Sequence, residues 1–99
     1  MDSKTQAAVG LCARAGKLMS GDDLCAHALQ RGRALLILLD GQASPNTAAK
    51  YEAKCRHYGT PLYVVQGVAA AAGKPDRMVF AVTEKGFSRM IQDALASEN

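Results

Sequence analysis

Between Arg14 and Asp23 the chain reads Arg-Ala-Gly-Lys-Leu-Met-Ser-Gly-Asp-Asp, a glycine-flanked segment carrying two cations, a hydroxyl and two adjacent carboxylates. At the start of a helix such a segment is a docking point for RNA. The first backbone N–H groups of a helix have no intrahelical partner and take an outside acceptor, while Arg14 and Lys17 are placed to meet phosphates beside them. Asp23 can accept from a guanine base edge. Asp22 and Asp23 together repel a backbone phosphate, so this helix start should read bases, with phosphate contacts to its sides. The plainer reading of the pair is two first-turn carboxylates favoured by the helix dipole. Arg31, further along, is a further candidate phosphate contact. A second charged segment, Lys74-Pro75-Asp76-Arg77, also suits phosphate.

Catalytic chemistry is hard to assemble from the remaining residues. His27 falls mid-helix and His57 near a helix end, neither with a nucleophile and a carboxylate in a recognised pattern. Cys25 and His27 are two apart and so face different sides of one helix. Cys12, Cys25 and Cys55 are odd in number and lack C-x-x-C spacing, which argues against a disulfide framework and a metal site. They read as reduced, buried thiols. The glycines never form G-x-G-x-x-G or a P-loop, so no nucleotide cofactor is expected.

With 48% hydrophobic and 21% charged residues the chain has the balance of a folded globular protein, and its 99 residues fit a single domain, 1–99. Twelve Lys and Arg against nine Asp and Glu give a net charge of +3, which permits an anionic partner without demanding one. No stretch approaches the ~18 apolar residues of a membrane span. The opening Met-Asp-Ser-Lys-Thr-Gln has no apolar run of the secretory kind, so a cytoplasmic protein is expected.

Ser3 with Gln6 matches a capping box, and Ala7, Ala8, Leu11, Cys12 and Ala15 recur at helical spacing up to Gly16. After a short bridge at Lys17-Leu18-Met19, Ser20 with Asp23 repeats the box, and a second helix runs to Gly32. Ala34 to Leu39 is unbroken apolar sequence, suited to a central strand covered on both faces. Ser44-Pro45 predicts the start of a third helix that ends at Gly59. Leu62 to Val65 reads as a strand, Val68 to Ala72 as a short helix closed by Gly73, and Met78 to Val82 as a strand. Thr83 caps a last helix whose stripe is Phe87, Met90, Ile91, Ala94 and Leu95. Helices and strands alternate, which predicts a sheet between helical layers.

The segment from Ala13 to Gly21, then Ala28-Leu29-Gln30-Arg31-Gly32, then the strand ending Leu38-Leu39, resembles the ribosomal protein family that contains the archaeal kink-turn binder. The order of elements agrees over nearly the whole chain. Gly73-Lys74-Pro75 with Arg77, and Ala81 to Phe87, are similar to the small bacterial YlxQ-type branch of that family. The resemblance implies an α/β protein, a three-layer α/β/α sandwich of the L-thirty-e-like type with about four strands and five helices. It implies an RNA surface made of the start of the second helix and the loop before the last strand. Kink-turn binders carry Gly-x-Asn-Glu at that helix start with a Lys one turn later. Here those positions are Gly21, Asp23, Leu24 and His27, so only the glycine is kept. Asp23 accepts but lacks the amide donor, Leu24 can do neither, and His27 replaces a permanent cation. The loop, apolar in the kink-turn binders, is charged here.

The resulting expectation is a non-catalytic, monomeric RNA-binding protein without cofactor, engaging kink-turn-like or ribosomal RNA and associating with the ribosome. Its candidate contacts are Arg14, Gly16, Lys17, Ser20, Gly21, Asp22, Asp23, His27, Arg31, Lys74, Pro75 and Arg77. The alternative is a protein-interaction module that kept the fold and lost the RNA site. A continuous basic face from Lys17 to Lys74 and Arg77 favours RNA, whereas an exposed apolar patch around Leu24 favours a protein partner. A small enzyme acting on an anionic metabolite near Lys74 and Arg77 ranks behind both, because the sequence shows no perturbed acid or base for it.

Overall fold

The unbroken apolar run around Leu36 to Leu39 becomes the middle of the molecule in a computed structural model that describes residues 1–98. In chain order the elements are α1 (Ser3–Arg14), β1 (Leu18–Ser20), α2 (Asp22–Gln30), β2 (Leu36–Asp40) and α3 (Pro45–Tyr58). They continue as β3 (Leu62–Val65), α4 (Val68–Ala71), β4 (Val79–Val82) and α5 (Lys85–Ala96). The four strands form one mixed sheet in the order β1-β4-β2-β3. β2 runs parallel to β3, across the α3 crossover, and antiparallel to β4, which also pairs antiparallel with β1.

Because strand side chains alternate between faces, the two central strands feed two cores. Leu36, Leu38, Phe80 and Val82 meet Val9 and Cys12 of α1, Val68 of α4 and Ile91 of α5. Ile37, Leu39, Val79 and Ala81 meet Cys25 and Leu29 of α2 with Tyr51 and Cys55 of α3. This is the three-layer α/β/α arrangement. Each fully buried Leu or Ile contributes about 1.5–3 kcal/mol of transfer free energy, which fits a β2 that is apolar and buried up to Asp40. All three cysteines are free and buried, as their apolar spacing predicts.

Three helix starts differ from the sequence expectation, each by one residue. Asp2, not Ser3, caps α1: its Oδ1 accepts from the Thr5 N–H at 3.0 Å. Glu84, not Thr83, caps α5, accepting from the Phe87 N–H at 2.8 Å. Thr83 is still tied to the sheet edge, its N–H and hydroxyl both reaching the Lys17 carbonyl. Gly21, not Ser20, precedes α2, because Ser20 is the last residue of β1, paired with Phe80. Acceptor side chains are common enough near helix starts that spacing alone cannot fix which one caps. α3 begins as expected, Ser44 Oγ accepting from the Thr47 N–H at 3.1 Å with Pro45 behind it. β2 begins two residues later than the apolar run, since Arg33 and Ala34 both donate to the Ala28 carbonyl to close α2. In the α5 stripe, Ile91 and Ala94 are buried, Phe87 and Leu95 partly so, and Met90 is exposed.

Candidate nucleic-acid interface

The junction between β1 and α2 is made by Gly21, whose φ of 96° and ψ of 161° lie in a region that L side chains rarely adopt. Its N–H donates to the Val79 carbonyl at 3.0 Å, which fixes the helix start to the beginning of β4. With no side chain on Gly21 there is no side-chain cap, and the first-turn amides of Asp22, Asp23 and Leu24 lie open to an outside acceptor.

The second segment arrives from the opposite core layer. Gly73, at φ 74°, ends the turn after α4, and Arg77 donates its N–H to the Lys74 carbonyl at 3.0 Å, folding 74–77 into a tight loop. The Arg77 side chain then lies across Gly21: a Cβ built on that glycine would sit 3.7 Å from both Cδ and Nη1 of the arginine. Ser20, Gly21, Asp22, Asp23, Leu24 and Arg77 line one depression of about 300 Å³. Arg77 approaches Asp76 only at 4.0 Å with both side chains exposed, a contact worth little, so its guanidinium remains available.

Asp22 is committed elsewhere. The Tyr51 hydroxyl lies 2.6 Å from its Oδ1 and 3.0 Å from its main-chain oxygen, and Lys50 Nζ lies 2.6 Å from Oδ2. The Lys50 ammonium first, then the Tyr51 hydroxyl, hold the Asp22 carboxyl below the usual carboxylate range. Burial, then Asp22 itself, pushes the Tyr51 hydroxyl well above its ordinary value. Both adjacent carboxylates are exposed, but Asp22 fastens α2 to α3 and Asp23 makes no such contact with α3. Lys50 lies outside the sequence-predicted set, since the contact joins residues with no local relation.

Arg14, Gly16 and Lys17 are not gathered at the helix start, contrary to expectation. The Lys17 carbonyl accepts from Thr83 at one end of β1, while Gly21 donates to Val79 at the other. That separates their backbones by roughly 13 Å of extended chain. Arg14 folds back along its own helix over Gly10, on the α4 side. Gly16, at φ 73°, makes the turn after α1. Lys74 and Pro75 are exposed in the loop beside Arg77.

Along α2 the exposed face continues through Leu24, which is 54% exposed, to His27 and Arg31. Arg31 Nε donates to His27 Nε2 at 3.0 Å. Lys17 and Arg77 are thus not joined along one helix start, and the next arginine along the exposed face of α2 is Arg31 at its C-terminal cap, with the apolar Leu24 between it and Arg77. Among the described residues, no three His, Cys, Asp or Glu gather in a metal-binding group. Burial pushes the thiols of Cys12 and Cys25 up to about 11 and about 12, so they stay protonated at neutral pH. No helix among the described residues is long and apolar enough to cross a membrane. What the surface offers is amide donors, a guanidinium and one free carboxylate.

Residues 3–92 match the model of the Ribosomal protein L7Ae/L30e/S12e/Gadd45 family. The chain is 41% identical to a Bacillus subtilis protein named RNA-binding protein YlxQ, over 84% of this chain and 86% of that protein. It is 30% identical to the Enterococcus faecium protein of the same name, over 88% and 86%. A solved structure from Bacillus halodurans, titled as a protein with unknown function, superposes with a TM-score of 0.89 at 33% identity, covering 97% of this chain and 100% of that one. A Giardia lamblia 15.5kD RNA binding protein shares the fold at a TM-score of 0.77 and 14% identity, over 94% of this chain and 82% of that one. The chain thus belongs to the ribosomal protein L7Ae/L30e/S12e/Gadd45 family, on the branch of the YlxQ proteins.

Proposed function

We propose that the protein binds structured RNA, kink-turn-like or ribosomal, without catalysing a reaction. It acts as a cytoplasmic monomer of one domain in association with the ribosome. The observation that carries this reading is the seating of Arg77 against Gly21, which joins two segments distant in sequence into one surface. There the open amides of Asp22, Asp23 and Leu24 receive acceptors, Asp23 accepts from the Watson–Crick edge of a guanine, and Arg77 holds the adjacent phosphate. Lys74 and Pro75 border the same surface, and Arg31 takes phosphate further along α2. The names of the curated relatives support the same partner class.

Asp23, Leu24 and His27 stand where the kink-turn binders carry Asn, Glu and Lys. Sheared guanine–adenine pairs are therefore held by fewer donors, and the guanine edge by a full negative charge. Fluorescence titration of a kink-turn RNA and a ribosomal RNA fragment tests the reading. Nanomolar to micromolar binding is expected to weaken about tenfold in Arg77→Ala and in Asp23→Ala. Absence of binding to either RNA at low salt would overturn it. The exposed Leu24 is the one observation favouring a protein partner instead, and crosslinking in the native cells separates the two by whether RNA or protein is recovered.

A further inference from the structure

A second concavity, of about 220 Å³, lies between α2 and the edge strand β1. Met19 of β1 with Leu24 and Ala28 of α2 supplies its apolar side, and Thr83 closes one end. His27, Arg31 and Arg33 form its rim, all three exposed, and no carboxylate is among the residues that line it. Arg33 lies outside the sequence-predicted set. The hydrogen bond from Arg31 Nε to His27 Nε2 holds the guanidinium at the rim and leaves its other N–H donors unspent on that contact. Leu24 also lines the depression at Gly21 and Arg77, so the two concavities are neighbours that share this side chain as a wall.

We infer that this groove seats one unpaired nucleotide flanking the structured RNA, its base against Met19, Leu24 and Ala28 and its phosphate on Arg31 and Arg33. The inference rests on the RNA reading above. The volume is below that of a typical small-molecule pocket, which fits one base and not a larger ligand. A nucleotide brings a flat apolar face and an anion together at a fixed short separation, matching an apolar side bordered by cations. An apolar peptide side chain fills the same space but leaves the two arginines without acceptors. RNA bound at the helix start reaches the groove by continuing along α2, past Leu24.

The test compares one structured RNA in three forms: blunt, and with a short unpaired uridine extension at either end. For the wild-type protein, the extension at one of the two ends is expected to tighten binding about fivefold to tenfold. Arg33→Gln should remove most of that gain while keeping affinity for the blunt RNA within about twofold, because the Arg33 side chain is exposed and its backbone bond to Ala28 survives the change. A 4-thiouridine in the favourable extension should crosslink to Met19 or Leu24. The groove proposal is overturned if neither extension tightens binding, if Arg33→Gln weakens blunt and extended RNA alike, or if the crosslinks fall elsewhere. Blunt binding without any gain removes the groove alone, whereas no binding by any form removes the RNA reading with it.

Discussion

Gly21 and Gly10 show how one residue type serves opposite ends. At Gly21 an added Cβ meets Arg77 at 3.7 Å, an ordinary contact, so the penalty for alanine lies in the backbone at φ 96°. Gly21→Ala should therefore cost about 1–3 kcal/mol in urea denaturation. Gly10 sits inside α1, where a Cβ meets the flexible end of Arg14 at 3.3 Å and the Ala71 carbonyl at 3.8 Å, an ordinary contact. Gly10→Ala should stabilise the protein by about 0.5–1 kcal/mol in the same assay. Asp22 makes a further residue-scale prediction. Its carboxyl titrates lower in the folded state than unfolded, so its contribution is present above the ordinary carboxylate range and is lost as pH falls through the lowered value. The Lys50 pair is about half exposed and adds well under 1 kcal/mol, leaving the Tyr51 hydroxyl bond, worth about 1–2 kcal/mol, as the main loss in Asp22→Ala. That stability gap should shrink when denaturation is repeated at strongly acidic pH. The pairing of Asp22 was not legible in the sequence. Two adjacent carboxylates at a helix start look alike until a tyrosine and a lysine on another helix single one out.

Elements are held at the functional end of the sheet by Asp40, the buried carboxylate that ends β2. Its Oδ1 accepts from the Gln42 N–H at 2.9 Å and its Oδ2 from the Ala69 N–H at 3.0 Å. It thereby fixes the turn into α3 and the first turn of α4, a four-residue helix too short to persist alone. α4 leads through Gly73 to the loop that carries Arg77. Asp40→Ala should cost about 1–3 kcal/mol by leaving two amides unmatched, measured by thermal or urea unfolding. It should also weaken RNA binding more than its distance from the surface suggests, because the loop loses its anchor. Helix and strand periods, with the glycine stops, made eight of the elements readable to within two residues at their ends: α1, α2, α3, α4, α5, β2, β3 and β4. β1 was visible only as a bridge, since three residues carry no period. The caps were misplaced by one residue wherever two acceptors stood side by side.

At the scale of the whole molecule, the cations divide into Lys74 and Arg77 near the start of α2 and Arg31 and Arg33 just past its end, and they act together on a polyanion. If Lys74, Arg77, Arg31 and Arg33 each neutralise a phosphate of an RNA that carries the favourable unpaired extension, the logarithm of the association constant should fall with the logarithm of salt with a slope of about −3. Titrations from low to moderate salt check this, and Arg77→Ala should flatten the slope by a little under one unit. The sequence by itself determined the layers, the strand buried on both faces, the reduced thiols and the family, because each is written in local periodicity or in contiguous motifs. It also named Gly21 and Arg77 as parts of one surface, through the family resemblance. Only the tertiary structure decided that Arg77 covers Gly21, that Asp22 belongs to α3, that Lys17 stands at the far end of β1, and that Arg33 joins Arg31 beside Met19. The physical reason is that these are contacts between side chains brought together by sheet order, and strand order is set by burial summed over the whole chain, which no local stretch of sequence records.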